Sequence, residues 1–137
     1  MSKPLIVIAD TDEMYLSTIE RKLLKELGNR IELEIISDEA YFFEFFSNPK
    51  TAEIVAVGEQ FYTKDLLKHN IANIFLLCEE EDTKNIQQVS VYGIYKYKGI
   101  KEIYNELIYR SLDKILADEK SVRQTQVIAW YSAIGGS

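Results

Sequence analysis

The chain has 137 residues, with 22 acids against 16 Lys and Arg, a formal charge of -6 and a pI near 4.9. This length suits one compact domain, and 47% apolar residues are enough for a sizeable core. The acidic balance argues against wrapping a nucleic-acid backbone. The single cysteine, Cys78, excludes an internal disulfide and fits a reducing compartment, and no apolar run approaches the ~20 residues of a membrane span.

The start, "MSKPLIVIADTDE", has too short an apolar run before its acids for a signal peptide, so a cytoplasmic domain is expected. Leu5 to Ala9 reads as a strand buried on both faces. From Asp12 to Leu27 the period changes: Leu16, Ile19, Leu23 and Leu27 form one helical stripe, and Gly28 is a stop. "IELEI" (31–35) alternates like a half-exposed strand. "DEAYFFEFFSNP" reads as a short helix from about Asp38 to Asn48-Pro49. Its aromatics cannot all be buried on one face. Phe42, Phe45 and Phe46 are expected in the core, and an exposed Tyr41 or Phe43 would mark a contact surface.

"AEIVAVG" (52–58) is a third strand, "KDLLKHN" a weak helix, and "NIFLLCEEE" a fourth strand running into acids. "TKNIQQVSV" reads as a short, poorly formed helix and "YGIYKY" (92–97) as a fifth strand. A strong amphipathic helix follows, with Ile100, Ile103, Leu107, Ile108, Leu112 and Ile115 on one face. Polar "DEKSVRQTQ" then leads to a last apolar run, "VIAWY". Strands alternating with helical segments imply βα units, a parallel sheet and helices on both faces. Ligands of such sheets gather at the carboxyl ends of the strands. Asp10, Gly58, Glu59, Cys78 and Lys96 all fall there.

"PLIVIADTDEMYLSTIERKL" resembles the first strand and helix of a response-regulator receiver domain. The resemblance covers residues 1–118. It implies a flavodoxin-like, three-layer α/β domain with a five-stranded parallel sheet and a short or degenerate fourth helix. A receiver carries two acids after strand one, an acceptor aspartate after strand three, a hydroxyl after strand four and a lysine after strand five. The acids hold a divalent cation, the aspartate attacks phosphorus, and the lysine and hydroxyl bind phosphoryl oxygens. Carried over, these positions hold Asp10, Thr11, Gly58, Cys78 and Lys96. Asp12 stands one residue late, at the helix start, where an N-cap role competes with a metal role. Gly58 has no side chain and cannot form an acyl phosphate. Glu59 could mimic a phosphorylated aspartate, although adjacent strand residues point to opposite faces. Asp10 either pairs with Lys96 or keeps a cation role. No metal ligand set is assigned.

"QVIAWYSAIGGS" resembles the first strand and opening phosphate loop of MinD/ParA-type ATPases. Gly135, Gly136 and Ser137 would open a Gly-Gly-x-Gly-Lys-Thr loop, without its lysine. Residues 119–137 are then a linker and the first strand of a truncated P-loop domain; a Gly-Ser tail is the alternative. A receiver-like domain ahead of such an ATPase is the architecture of TadZ/CpaE-like pilus assembly ATPases. That resemblance implies a non-enzymatic docking domain that binds proteins or its own copies, in the cytoplasm at a cell pole. ATP and Mg2+ belong only to the full-length protein, and this fragment needs no cofactor. The competing reading is a signalling receiver that binds Mg2+ and phosphoryl groups through Asp10, Asp12 and Glu59.

Tyr92, Tyr95, Tyr97, Tyr104 and Tyr109 lie where receivers commonly present a partner face, and tyrosine suits interfaces. The alternative is that two or three of them pack in the core. The acids of "CEEEDTK" read as a solvated run, His69 as a surface residue, and Cys78 as a buried small side chain.

Overall fold

The computed structural model describes residues 3–80, 91–109 and 111. Five strands form one parallel sheet: β1 (Leu5–Ala9), β2 (Glu32–Ile36), β3 (Thr51–Gly58), β4 (Asn70–Cys78) and β5 (Val91–Tyr95). Their order is β2-β1-β3-β4-β5, the flavodoxin-like order. Among the described residues three α-helices accompany them: α1 (Glu13–Leu27), α2 (Glu39–Phe45) and α3 (Ile100–Tyr109). Of the expected fourth helix in "TKNIQQVSV", residues 83–90 lie outside the described residues and the last, Val91, opens β5. The residues of α3's stripe after Tyr109, the 118/119 domain boundary and Gly135-Gly136-Ser137 also lie outside them.

The period of each segment explains the layers. Ile6, Ile8, Ile54, Ala56, Phe75, Leu77 and Ile94 point to one face of the sheet. There they meet Leu16, Ile19, Leu23 and Leu27 of α1 and Ile103, Leu107 and Ile108 of α3. Val7, Ala9, Val55, Val57 and Ile74 point to the other face, against Phe42, Phe61 and Leu66. The alternation is invisible in the sequence because both faces are covered, so the central strands read as unbroken apolar runs.

Two segments differ from expectation. "KDLLKHN" is not an α-helix but a 3-10 turn, Lys64–Lys68. Only Leu66 is buried in it, and the Thr63 side chain caps nothing. The turn closes with the His69 N–H donating to the Leu66 carbonyl at 3.2 Å, just before β4 begins. So short a span cannot complete a second α turn. In α2 only Phe42 is fully buried; Phe45 and Phe46 are partly buried and pack at the core's edge. A helix of seven residues presents a narrow stripe, and Phe42 takes its centre. Tyr41 and Phe43 are exposed, as the aromatic count requires.

Candidate functional site

The parallel register brings four strand ends to one edge. Ala9 pairs with Val57, Gly58 with Leu77, and Cys78 with Tyr95. Asp10 follows β1 and is fixed there by its own N–H, which donates to the Ile36 carbonyl at 3.1 Å. Lys96 follows β5, its N–H donating to the Cys78 carbonyl at 3.0 Å. Asp10, Gly58, Cys78 and Lys96 therefore converge, and all four are buried.

Lys96 closes the pocket. Its Nζ donates to Asp10 Oδ2 at 2.9 Å across 86 residues of sequence. The two side chains are 3% and 1% exposed, so this is a buried ion pair. The second Asp10 oxygen accepts from the Asp12 N–H at 3.0 Å. Of the two roles left open for Asp10, the geometry shows the pair with Lys96. Asp12 is the N-cap of α1: its Oδ1 accepts from the N–H groups of Met14 and Tyr15, each at 3.1 Å. Those bonds satisfy backbone donors that a helix start leaves without partners. Thr11 is exposed beside them.

Two participants were not singled out from sequence. Glu79, the first acid of the run after β4, accepts from Lys96 Nζ at 3.4 Å through Oε2 and from the Tyr97 hydroxyl at 2.8 Å through Oε1. Tyr15 places its ring 4.9 Å from Lys96 Nζ, and the Tyr97 ring lies 5.5 Å from the same atom. Both faces suit a cation. Glu79 was hidden in a run that reads as solvated; its signal was adjacency to Cys78, the last residue of a buried strand. Tyr15 was hidden in the first turn of α1, where Asp12 drew attention as the cap.

The electrostatics follow this arrangement. Burial pulls the Lys96 ammonium down, and the bonds and charges of Asp10 and Glu79 more than offset it, so it sits above an ordinary lysine. The hydrogen bond from Tyr97 holds the Glu79 carboxyl below its usual range, with burial opposing and Lys96 assisting. The same bond raises the Tyr97 phenol. Burial raises the Tyr15 phenol, and the charge of Asp10 adds to it. Its hydroxyl is buried without a hydrogen-bond partner among the described residues.

The remaining positions are chemically quiet. Cys78 is 4% exposed, and its thiol donates to the Leu76 carbonyl at 3.4 Å. Burial, then the charge of Glu59, pushes that thiol up, away from nucleophilic character. Glu59 is exposed while Gly58 is buried, because β3 ends at Gly58 and Glu59 begins the turn that follows it. His69 is half-buried away from this edge, its Nδ1 accepting from the Lys50 N–H at 3.0 Å. Among the described residues no group of three or more His, Cys, Asp or Glu could hold a metal ion.

Gly58 marks the closed position most sharply. A Cβ added there would stand 3.0 Å from Asp10 Oδ2 and 3.1 Å from Gln60 Oε1. Gln60 can turn away, but Asp10 is held at both oxygens. Gly58→Ala is therefore expected to lower stability by about 1–3 kcal/mol. Urea unfolding should show a lower midpoint at an unchanged slope. A variant as stable as the parent would mean that Asp10 is not fixed.

The five tyrosines differ in burial and in neighbours. Tyr92 packs on Phe75, with centroids 5.7 Å apart, and Tyr104 is partly buried against the same core. Tyr95 and Tyr97 meet edge-on at 5.6 Å beside the pocket. Tyr109 is 81% exposed at the far end of α3.

No protein-family model matches the sequence, and the curated proteins give no match. Among solved structures, the chain is similar to the crystal structure of a response regulator receiver protein from Burkholderia phymatum. The TM-score is 0.51 at 15% identity, over 84% of this chain and 96% of that one. The likeness is one of fold: the chain is a receiver-like α/β domain. Among the described residues no helix is long and apolar enough to cross a membrane.

Proposed function

We propose that this domain is a receiver-fold docking module that works without phosphorylation. The observation carrying this reading is the state of Lys96: Asp10 and Glu79 occupy its ammonium, and position 58 offers no carboxylate. An acyl phosphate needs a side-chain oxygen as nucleophile, and glycine has none. With Asp12 spent on the helix cap, the competing Mg2+-binding reading loses one of its acids. The scaffold then acts by presenting a fixed surface to another protein or another copy. Tyr95 and Tyr97 beside the pocket are the strongest part of that surface.

The wider setting rests on the resemblance of the last dozen residues to a phosphate loop's opening. In that reading the domain belongs to a TadZ/CpaE-like pilus assembly ATPase and helps place it at a cell pole in the cytoplasm. ATP and Mg2+ are bound by the part that follows. Sequencing the natural gene past Ser137 tests this. Codons for Gly-Lys-Thr or Gly-Lys-Ser directly after it are expected; a stop codon or an unrelated sequence would remove the ATPase and leave the receiver-like domain. A fluorescent fusion of the full gene in its native host should form a polar focus, and a diffuse signal would count against the localisation role.

A further inference from the structure

Glu79 does two jobs with one carboxylate. Oε2 rests on the buried Lys96 ammonium, and Oε1 takes the hydroxyl proton of Tyr97. Tyr97 in turn meets Tyr95 edge-on, with ring planes at 73°. The result is an unbroken series of contacts from Asp10 through Lys96, Glu79 and Tyr97 to Tyr95. One end is sealed, with Asp10 and Lys96 at 1% and 3% exposure. The other is open, with the Glu79 side chain 47% exposed and Tyr97 at 55%. No comparable series starts from Glu59, the acid that sequence suggested as a stand-in for a phosphorylated aspartate. Glu59 is exposed, and its charge acts on the Cys78 thiol.

We infer that Glu79 is a positioning residue: a built-in anion on Lys96 that fixes the Tyr97–Tyr95 pair, so that the pocket sets its docking face with no transferred group. This rests on the reading of the pocket as non-phosphorylated. The physical argument is one of order. An exposed Glu–Tyr hydrogen bond in isolation must freeze two mobile side chains, and it gains little. Here one end is already anchored, because Lys96 is buried and held by Asp10, with the Tyr15 ring centroid 4.9 Å from its Nζ. Glu79 and Tyr97 are therefore ordered against a fixed cation rather than against each other alone. An aromatic pair held in one orientation before contact loses less freedom when a partner arrives.

The test uses the 137-residue chain with ring-labelled tyrosine, followed by NMR through an alkaline titration. In Glu79→Gln an acceptor oxygen remains but the charge is gone. The Tyr97 phenol should titrate lower than in the parent, because the bond and charge of Glu79 are what hold it up, and the Tyr95 ring signals should move with those of Tyr97. Tyr97→Phe, which removes the hydroxyl and keeps the ring, should also displace the Tyr95 signals. Glu80→Gln, a change to the neighbouring exposed acid, should move neither. Unchanged tyrosine signals in folded Glu79→Gln would overturn the inference, as would a shift of Tyr97 with Tyr95 unmoved. Treating the same samples with acetyl phosphate and Mg2+ separates the two ideas. If no phosphoryl group is added and the tyrosines ignore Glu79, the coupling fails and the pocket reading stands. If a phosphoryl group is added while Glu79→Gln still moves both rings, the coupling stands and the pocket reading fails.

Discussion

Lys96→Met should destabilise the domain by about 3–5 kcal/mol. The size comes from what the substitution leaves behind. Asp10 is 1% exposed, and its Oδ2 loses its partner at 2.9 Å. An unpaired buried carboxylate costs far more than the pair contributes. Glu79 offers no rescue, since its own charge repels Asp10. Replacing both partners, as Asp10→Leu with Lys96→Met, should return most of the loss, because apolar groups of similar volume need no compensation there. Urea unfolding of the two single variants and the double variant measures this as a coupling energy. Additive losses would show that Asp10 and Lys96 do not depend on each other. The pair also has a pH signature. The Lys96 ammonium is raised in the folded state, so its contribution is present in full below the ordinary lysine value. It is lost as pH climbs through the folded value, and the pair is intact at neutral pH.

Phe42→Ala should cost a similar amount, about 3–5 kcal/mol. Phe42 is 1% exposed, and its ring centroid lies 5.0 Å from Phe46 and 5.1 Å from Phe61. It is the one buried residue of α2, which has seven residues and cannot persist unsupported. The ring also forms part of the floor of a surface groove of about 470 Å³ between α2 and the 3-10 turn, reached by Phe43, Phe46 and His69. Removing it should loosen the groove and α2 together, visible as lost amide protection in residues 39–45 ahead of global unfolding. Phe43→Ala, at a residue 47% exposed, should fall within about 0.5 kcal/mol of the parent. Equal losses at the two positions would mean that the aromatic run is packed differently.

Much of the fold was legible because local and global signals agree. The Leu16, Ile19, Leu23, Leu27 stripe, the Gly28 stop and the Asp12 cap point to one helix, and that helix is there. Three buried strands were legible as apolar runs of strand length. The weak helix at "KDLLKHN" was misread because a lone buried Leu66 fits several local conformations, and tertiary room decided among them. In the pocket, Asp10 and Lys96 were legible by their place at strand ends. Their pairing was open on sequence, since a cation could have stood between them. Glu79 was not legible. An acid in a run of acids carries no periodic signal, and only the turn after Cys78 aims it at Lys96.

In the proposed docking module the pocket is closed by its own side chains and takes up no phosphoryl group. Intact mass of the 137-residue chain after incubation with acetyl phosphate and Mg2+ tests it most directly. An unchanged mass is expected, in the parent and equally in Glu59→Gln. A gain of one phosphoryl group, lost in Glu59→Gln or in Asp10→Asn, would contradict it.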